Sequence, residues 1–304
     1  MQQLLTTSFD RFGRYAHIHQ YRQTVFGAGP ARILDVGDPY GTLRAVFEGA
    51  DDTVSVDLFA DSGPAAAGDP HAQVLGSGTA LPFADRSFDL VVSADTLEHV
   101  PAPARPAFIA ELLRVGAGPV VLVAPFQDPR TEICERLVNS YYVARLGHSL
   151  GPLDEHAACG LPDLDWLRAH LDGLGVDHEE AGDGWIYHWL AFMLLKAHNL
   201  SEGRAELDQR IDAAFNTLLT SRDHAEPHYR RTVIMRPAPN GPQLPAVQSR
   251  ADPALDTRWL TDVGLSLAEA LPRGVEPAGA GSPLARWLDE RARDGGPVAD
   301  LAQS

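Results

Sequence analysis

Side chains able to do chemistry gather in three stretches of this 304-residue chain. The first is Ile33-Leu-Asp-Val-Gly-Asp-Pro-Tyr-Gly41, where Asp35 and Asp38 flank a turn made by Gly37 and Gly41. Glycines there let a ligand approach the backbone closely. Twenty residues after Gly37, the run Val54-Ser-Val-Asp57 ends in another carboxylate. The second stretch carries Gly76-Ser-Gly-Thr79 and then Ala94-Asp-Thr-Leu-Glu-His-Val-Pro101. In the third, Leu146 to Asp163, the titratable groups are His148, Asp154, Glu155 and His156. Imidazole and carboxylate groups of this kind accept protons or ligate cations.

A glycine turn answered by an acid at the end of the next strand has the chemistry of an adenosine site, the acid accepting hydrogen bonds from ribose hydroxyls. The turn opposes a pyrophosphate. Pro39 has no N–H to offer where a dinucleotide needs one, and Asp38 adds charge of the wrong sign, so an NAD-dependent oxidoreductase is disfavoured. A cofactor with an amino-acid tail fits better, its ammonium facing Asp35 or Asp38. That points to S-adenosylmethionine; the alternative is an ordinary strand-turn-helix whose glycines serve packing.

The elements that must position these groups alternate. Ile33 to Val36 reads as a buried strand, and Leu43, Val46, Phe47 and Ala50 fall on one face of a helix. Short strands are expected at 73–76, 88–93 and 119–125, with a helix over 103–115 burying Phe108, Ile109, Leu112 and Leu113 between the last two. A helix over 131–146 presents Ile133, Leu137, Tyr141 and Ala144; a polar loop follows to residue 163, then a helix with Leu164, Leu167 and Leu171. A weak strand at 176–181 precedes the run Trp185 to His198, which is apolar nearly all round, too short to span a bilayer, and therefore buried. Ser201 is the expected cap of a helix carrying Leu207, Ile211, Phe215 and Leu218, and 229–235 reads as the last strand. The pattern predicts an α/β fold built on a right-handed, doubly wound sheet.

Three domains are expected: an N-terminal helical lid or extension over 1–29, a main domain over 30–236 with a helical insertion at 184–224, and a Pro-rich linker with helices over 237–304. In the first, Tyr15, His19 and Tyr21 are candidate contacts if it forms a lid. The alternative is a helix packing its aromatics on the sheet.

Leu34-Asp-Val-Gly37 with Gly41, Asp57, Gly76-Ser-Gly-Thr-Ala-Leu-Pro-Phe83, Phe88-Asp-Leu-Val-Val92 and Leu97-Glu-His-Val-Pro101 occur in one order. In them the chain resembles the class I S-adenosylmethionine-dependent methyltransferases. The resemblance implies that the Gly37 turn holds the methionine and ribose, Asp57 with Leu58 beside it the ribose hydroxyls, Ser77, Gly78 and Thr79 the adenine, and Ala94 and Asp95 the sulfonium. It also implies a Rossmann-like, seven-stranded sheet, mostly parallel with an antiparallel edge strand, closed by the weak strand, helical insertion and final strand. Two residues depart from the family pattern: Pro39 replaces a loop glycine, and Ser77 replaces the acid that meets the adenine amino group. The segment Asp154-Glu-His followed by Gly160-Leu-Pro-Asp163 is similar to methyltransferases found beside glycosyltransferases in glycan and glycoconjugate biosynthesis.

Methyl transfer from a sulfonium is an in-line displacement, and a hydroxyl acceptor wants a base within hydrogen-bond reach. His99 and His156 are the candidates for that base. O-methylation of a sugar, glycan or glycosylated natural product is the expected reaction; N- or C-methylation of a small metabolite, or cofactor binding without catalysis, are the alternatives. A catalytic divalent metal is not expected, although Asp95, Asp154, Glu155 and His156 offer ligands. The net charge of −16 excludes nonspecific nucleic-acid binding. Cys134 and Cys159 lack metal-type spacing and suit free thiols in a cytoplasmic protein, and residues 1–7 lack the features of a signal peptide. The expected partner is a small-molecule or glycan acceptor, with no nucleic acid and no stable membrane insertion; a homodimer is the candidate assembly.

Overall fold

Parallel register organises the sheet. In the computed structural model, which describes residues 7–43, 51–59, 72–218, 220 and 223–236, the strands are β1 (Arg32–Val36), β2 (Asp52–Asp57), β3 (Ala72–Leu75), β4 (Leu90–Ala94), β5 (Val120–Pro125), β6 (Asp177–Trp185) and β7 (His228–Arg236). Their order across the sheet is β3-β2-β1-β4-β5-β7-β6. Strands β1 to β5 are parallel, and β7 is antiparallel to both of its neighbours, β5 and β6. The antiparallel strand thus lies one place in from the edge. This is a doubly wound, Rossmann-like α/β sheet.

The helices are α1 (Phe9–Phe26), α2 (Arg105–Val115), α3 (Pro129–Leu146), α4 (Gly151–Cys159), α5 (Leu164–Leu174), α6 (Ile186–Ser201) and α7 (Ala205–Leu218). Every residue of β4 and β5 is buried, as strands covered on both faces require. Phe108, Ile109 and Leu112 of α2 and Leu167 and Leu171 of α5 pack one face of the sheet against Leu34, Val91, Leu122 and Val233. On the other face Phe12, Tyr15, Ile18 and Tyr21 of α1 pack against Ile33, Val92, Val121 and Ile234. The first helix is therefore a layer of the fold, with Tyr15 and Tyr21 in the core and His19 half-buried. Among the described residues, no helix is long and apolar enough to cross a membrane.

The structure corrects four expectations. The stretch expected as a loop contains α4, started by Pro152 in its first turn. Its buried Arg105 neighbour fixes it, donating to the carbonyls of Val100 before α2 and of Cys159 and Gly160 at the end of α4. On α3 the buried side is Thr131, Cys134, Glu135, Val138 and Tyr142, not the Ile133 side, because Glu135 finds partners inside. Ser201 ends α6, its Oγ donating to the His198 carbonyl at 2.7 Å, rather than capping α7. On α7, Leu207 is exposed while Asp208, Asp212 and Asn216 are buried. Of the helix expected after β1, Leu43 is buried, and Val46, Phe47 and Ala50 lie outside the described residues, as do the linker and helices expected over 237–304.

Buried polar groups on α7 hold the start of the chain. Asp212 accepts from the Phe9 backbone N–H at 2.9 Å and pairs with Lys196 at 2.9 Å, and Asn216 donates to the Thr7 carbonyl at 2.9 Å. The Phe9 ring lies 5.0 Å from Phe192 and 5.1 Å from Phe215, completing an aromatic joint between α1, α6 and α7.

Where α1 crosses the end of β6, His17 pairs with Asp183 at 3.1 Å, and its ring lies 4.7 Å from that of His224. Burial, then the charge of His17, lowers the His224 pKa to about 4, with His228 adding repulsion and Asp183 opposing it. Below the ordinary value of 6.5 the unfolded chain takes up a proton that folded His224 refuses until about pH 4, so this group's contribution to stability is full above 6.5 and lost as pH falls toward 4. His17 acts oppositely: burial lowers its pKa, the Asp183 charge outweighs that, and its net rise favours the fold at lower pH. His224→Asn should therefore flatten the acid limb of thermal stability measured from neutral pH down to about 4; an unchanged limb would remove His224 from its control.

Candidate functional site

Register places the carboxyl ends of β1 to β4 side by side: Val36 faces Val56, Asp57 faces Leu75, and Asp35 faces Val92. The loops that follow therefore meet at one edge of the sheet. Gly37 has φ +95° and donates its N–H to the Val56 carbonyl at 2.9 Å, and the Thr96 hydroxyl, just past β4, donates to the Val36 carbonyl at 3.1 Å. Gln73 closes the loop from the β3 side, its amide donating to the Pro39 carbonyl at 2.8 Å. Gly41 also has positive φ, at +63°.

The two acids of the glycine loop have different surroundings. Asp38 accepts from the backbone N–H groups of Tyr40 and Thr42 and from the Thr42 hydroxyl, so its carboxylate caps the turn entering the next helix. Asp35 is 1% exposed, and among the described residues neither of its carboxylate oxygens has a hydrogen-bond partner. Burial, with Asp38 close by, pushes its pKa well above the ordinary range. An ammonium group is the kind of partner that would satisfy it.

Asp57 ends β2 half-buried, Oδ1 accepting from the Phe59 N–H at 2.8 Å, and Leu58 beside it is 66% exposed. Ser77 and Thr79 share a hydroxyl hydrogen bond of 2.8 Å across a tight turn. Gly78 in that turn packs against Phe108, leaving no room for a side chain. Ala94 is buried, and Asp95 follows at φ +50°. All ten residues expected at the cofactor lie along this edge.

A charged network missed in the sequence surrounds Asp95. Arg230 of β7 binds it bidentately at 2.7 and 2.6 Å, and Arg14 of α1 reaches it at 3.0 Å. Asp10 bridges both arginines, to Arg230 at 2.7 Å and Arg14 at 3.0 Å, and accepts from the Trp189 indole at 3.0 Å. Against the effect of burial, Arg230 and Arg14 hold the Asp10 carboxyl well below the usual range. Only the Asp10-Arg14 spacing, one helical turn, signalled a pair in the sequence.

Beyond Asp95 a single 3₁₀ turn, Leu97–His99, packs against α4 and brings the histidines together. Their ring centroids are 4.8 Å apart. His99 donates from Nδ1 to Glu155 at 2.6 Å, and His156 from Nδ1 to Glu135 at 2.9 Å, where the Tyr229 hydroxyl also donates at 2.9 Å. His156 is 6% exposed, whereas His99 is half-buried; burial and the neighbouring ring lower the His99 pKa. Glu98 is fully buried and, among the described residues, its carboxylate has no hydrogen-bond partner. Burial, then the charge of Asp95, raises its pKa well above the usual value. The repeated dipeptide Glu98-His99 and Glu155-His156 was the available signal for Glu98.

The four metal-ligand candidates do not converge. Asp95 is held by two arginines, Asp154 by Ser149 and Asn139, Glu155 by His99, and His156 by Glu135. His148 turns its Nδ1 to the Ser149 carbonyl.

Asp10 and Arg14 also wall a cavity of about 630 Å³. Phe9, Tyr142, Leu146, Met193 and Leu200 give it an apolar side, and Ser8, Arg11, His148 and Lys196 a polar one. It thus shares two side chains with the network that holds Asp95.

Residues 34–118 match the Methyltransferase domain family. A demethylmenaquinone methyltransferase from Beutenbergia cavernae is 33% identical over 209 residues, covering 64% of this chain and 82% of that relative. The chain belongs to the class I S-adenosylmethionine-dependent methyltransferases. An uncharacterized methyltransferase from Mycobacterium marinum is 41% identical over 88 residues, which are 27% of this methyltransferase-family chain and 34% of the relative. The chain thus spans about a third of that relative's length. A solved magnesium protoporphyrin IX methyltransferase from Synechocystis, holding S-adenosylhomocysteine, is 10% identical with a TM-score of 0.45, covering 73% of this chain and 81% of that one.

Proposed function

We propose that this chain transfers a methyl group from S-adenosylmethionine to an oxygen of a small polyhydroxylated acceptor, such as a sugar or a glycosylated molecule. The observation that carries the reading is the histidine pair beyond the β4 tip, each ring held at Nδ1 by a carboxylate. A hydroxyl is a poor nucleophile while protonated, and a ring fixed at one nitrogen offers the other to take the proton. His99, the more open ring, is the base in this reading; buried His156 positions it.

When bound, the cofactor supplies an activated methyl on a cationic sulfur. The chain's own residues do the rest. Asp35 meets the ammonium, Gly37 and Gly41 admit the methionine portion, Asp57 accepts from the ribose hydroxyls with Leu58 beside them, Ser77, Gly78 and Thr79 line the adenine, and Ala94 and Asp95 border the sulfonium. The cavity beside Arg14 seats the acceptor, with Ser8, Arg11 and His148 available to its hydroxyls and Phe9 and Met193 to its carbon face. Holding the reactants in line supplies much of the rate in such a displacement.

Asp57→Ala should weaken S-adenosylmethionine affinity about tenfold or more in calorimetric titration, since a charged acceptor of hydroxyl hydrogen bonds is lost. Unchanged affinity would remove Asp57 from the site. His99→Ala should lower kcat on hydroxylated acceptors while leaving cofactor affinity intact; a methylated product formed at the parent rate would overturn the base assignment.

A second reading is N- or C-methylation of a small, largely apolar metabolite, in keeping with the apolar side of the cavity; the Beutenbergia relative is named a demethylmenaquinone methyltransferase. Mass spectrometry of the product locates the methyl group and separates the two.

A further inference from the structure

We propose that Glu98, His99 and His156 form a binding site for one divalent transition-metal cation, with zinc(II) or cobalt(II) as the fitting chemistry. Each side chain offers one ligand atom, and those atoms all lie within 4.8 Å of one another. The site sits where the 3₁₀ turn after β4 packs on α4, close enough to the arginine-bound Asp95 for its charge to act on Glu98.

Two independent features point to a ligand. Glu98 is fully buried with both oxygens unpartnered among the described residues, and His156 Nε2, at 3.8 Å from Oε1, is beyond hydrogen-bond reach. A carboxylate in that state is costly to bury unless a cation satisfies it. The imidazoles are also held as metal ligands are held: Glu155 takes His99 Nδ1 and Glu135 takes His156 Nδ1, the latter fixed in turn by Tyr229. Outer carboxylates of this kind set the tautomer and leave Nε2 for the ion. Two imidazoles and one carboxylate suit zinc, cobalt, manganese or iron(II) rather than calcium or magnesium, and leave coordination positions open.

The inference bears on the oxygen-methylation reading, and its catalytic meaning rests on that reading: with an ion bound, His99 is a ligand in place of the base, the ion's charge favours the ionised acceptor oxygen, and the hydroxyl proton leaves to solvent. Binding itself does not depend on the reading.

The test is titration of chelator-treated, tag-free full-length protein with cobalt(II), followed by its visible absorption, and with zinc(II) by calorimetry. One ion per chain is expected, and Glu98→Gln and His156→Asn, each removing a direct ligand, should weaken it by about 100-fold or more, beyond the roughly 10- to 100-fold that losing an outer partner costs. Glu98→Gln keeps the side-chain shape and guards against a folding defect, which circular dichroism checks in the same samples. Failure to bind either ion, or equal affinity in wild type and Glu98→Gln, overturns the site. S-adenosylmethionine affinity measured on the same proteins separates the two claims: metal binding without cofactor binding would count against the methyltransferase reading, and cofactor binding without metal binding against the ion site alone.

Discussion

Arg230→Met is expected to lower the free energy of unfolding by about 3–5 kcal/mol, because removing one member of a buried ion pair leaves the others uncompensated. Arg230 is 6% exposed, and its guanidinium holds Asp95 by two hydrogen bonds and Asp10 by a third. Methionine fills similar space but cancels the charge, leaving Arg14 alone against two carboxylates. Lysine should restore part of the loss, since it keeps the charge without the planar fork. Asp95 also sits in a left-handed conformation, at φ +50°, directly after β4, so loosening it should weaken cofactor binding as well. Urea unfolding with an unchanged slope measures the first effect and calorimetry the second. A loss below about 1 kcal/mol would mean the network is screened as surface pairs are.

Gly37→Ala should reduce S-adenosylmethionine binding by about 100-fold or more and destabilise the fold by several kcal/mol, a combination of backbone strain and collision. At φ +95° an alanine is strained before any neighbour is considered. Its Cβ would also fall inside Thr96, 2.5 Å from Cγ2 and 2.8 Å from Cβ. Thr96 cannot retreat cheaply, because its hydroxyl bonds to the Val36 carbonyl and so ties β4 to β1. Gly13→Ala is the matched control: that glycine lies within α1 with open space around it, and alanine there should be neutral or stabilising by up to about 1 kcal/mol. Normal binding by the Gly37 variant would show that the loop can rearrange and that the cradle is not fixed.

The sheet was legible because β5 is an unbroken apolar run, β1 and β4 are mostly apolar, and the glycine loop announces the first crossing. The polar interior was not. Helical periodicity treats Glu135, Asp208 and Asp212 as solvent-facing, yet each turns inward to partners distant in sequence: His156 and Tyr229, Lys196, and the Phe9 amide. Such pairs cannot be read from one residue's neighbours. The same limit explains α4, whose position depends on Arg105, and Asp38, whose side chain was a candidate for the cofactor and instead caps its own loop. The histidines were found, but the carboxylates that orient them came from α3 and from the segment read as a loop.

The docking of α1 bears on synthesis. Phe9 meets Asp212, 203 residues later, Asn216 reaches back 209 residues to Thr7, and Asp10 waits for Arg230 across 220. Of the described helices, the first to leave the ribosome is thus among the last to find its partners, and contacts this long-ranged slow folding. Until β7 has emerged, a nascent chain carries Asp10 and Arg14 without Arg230 and an apolar stripe on α1 with no finished sheet beneath it. The loop edge beyond β1 to β4 therefore matures only after almost the whole described chain has been made, and the interval before that is when the growing polypeptide most needs protection from aggregation.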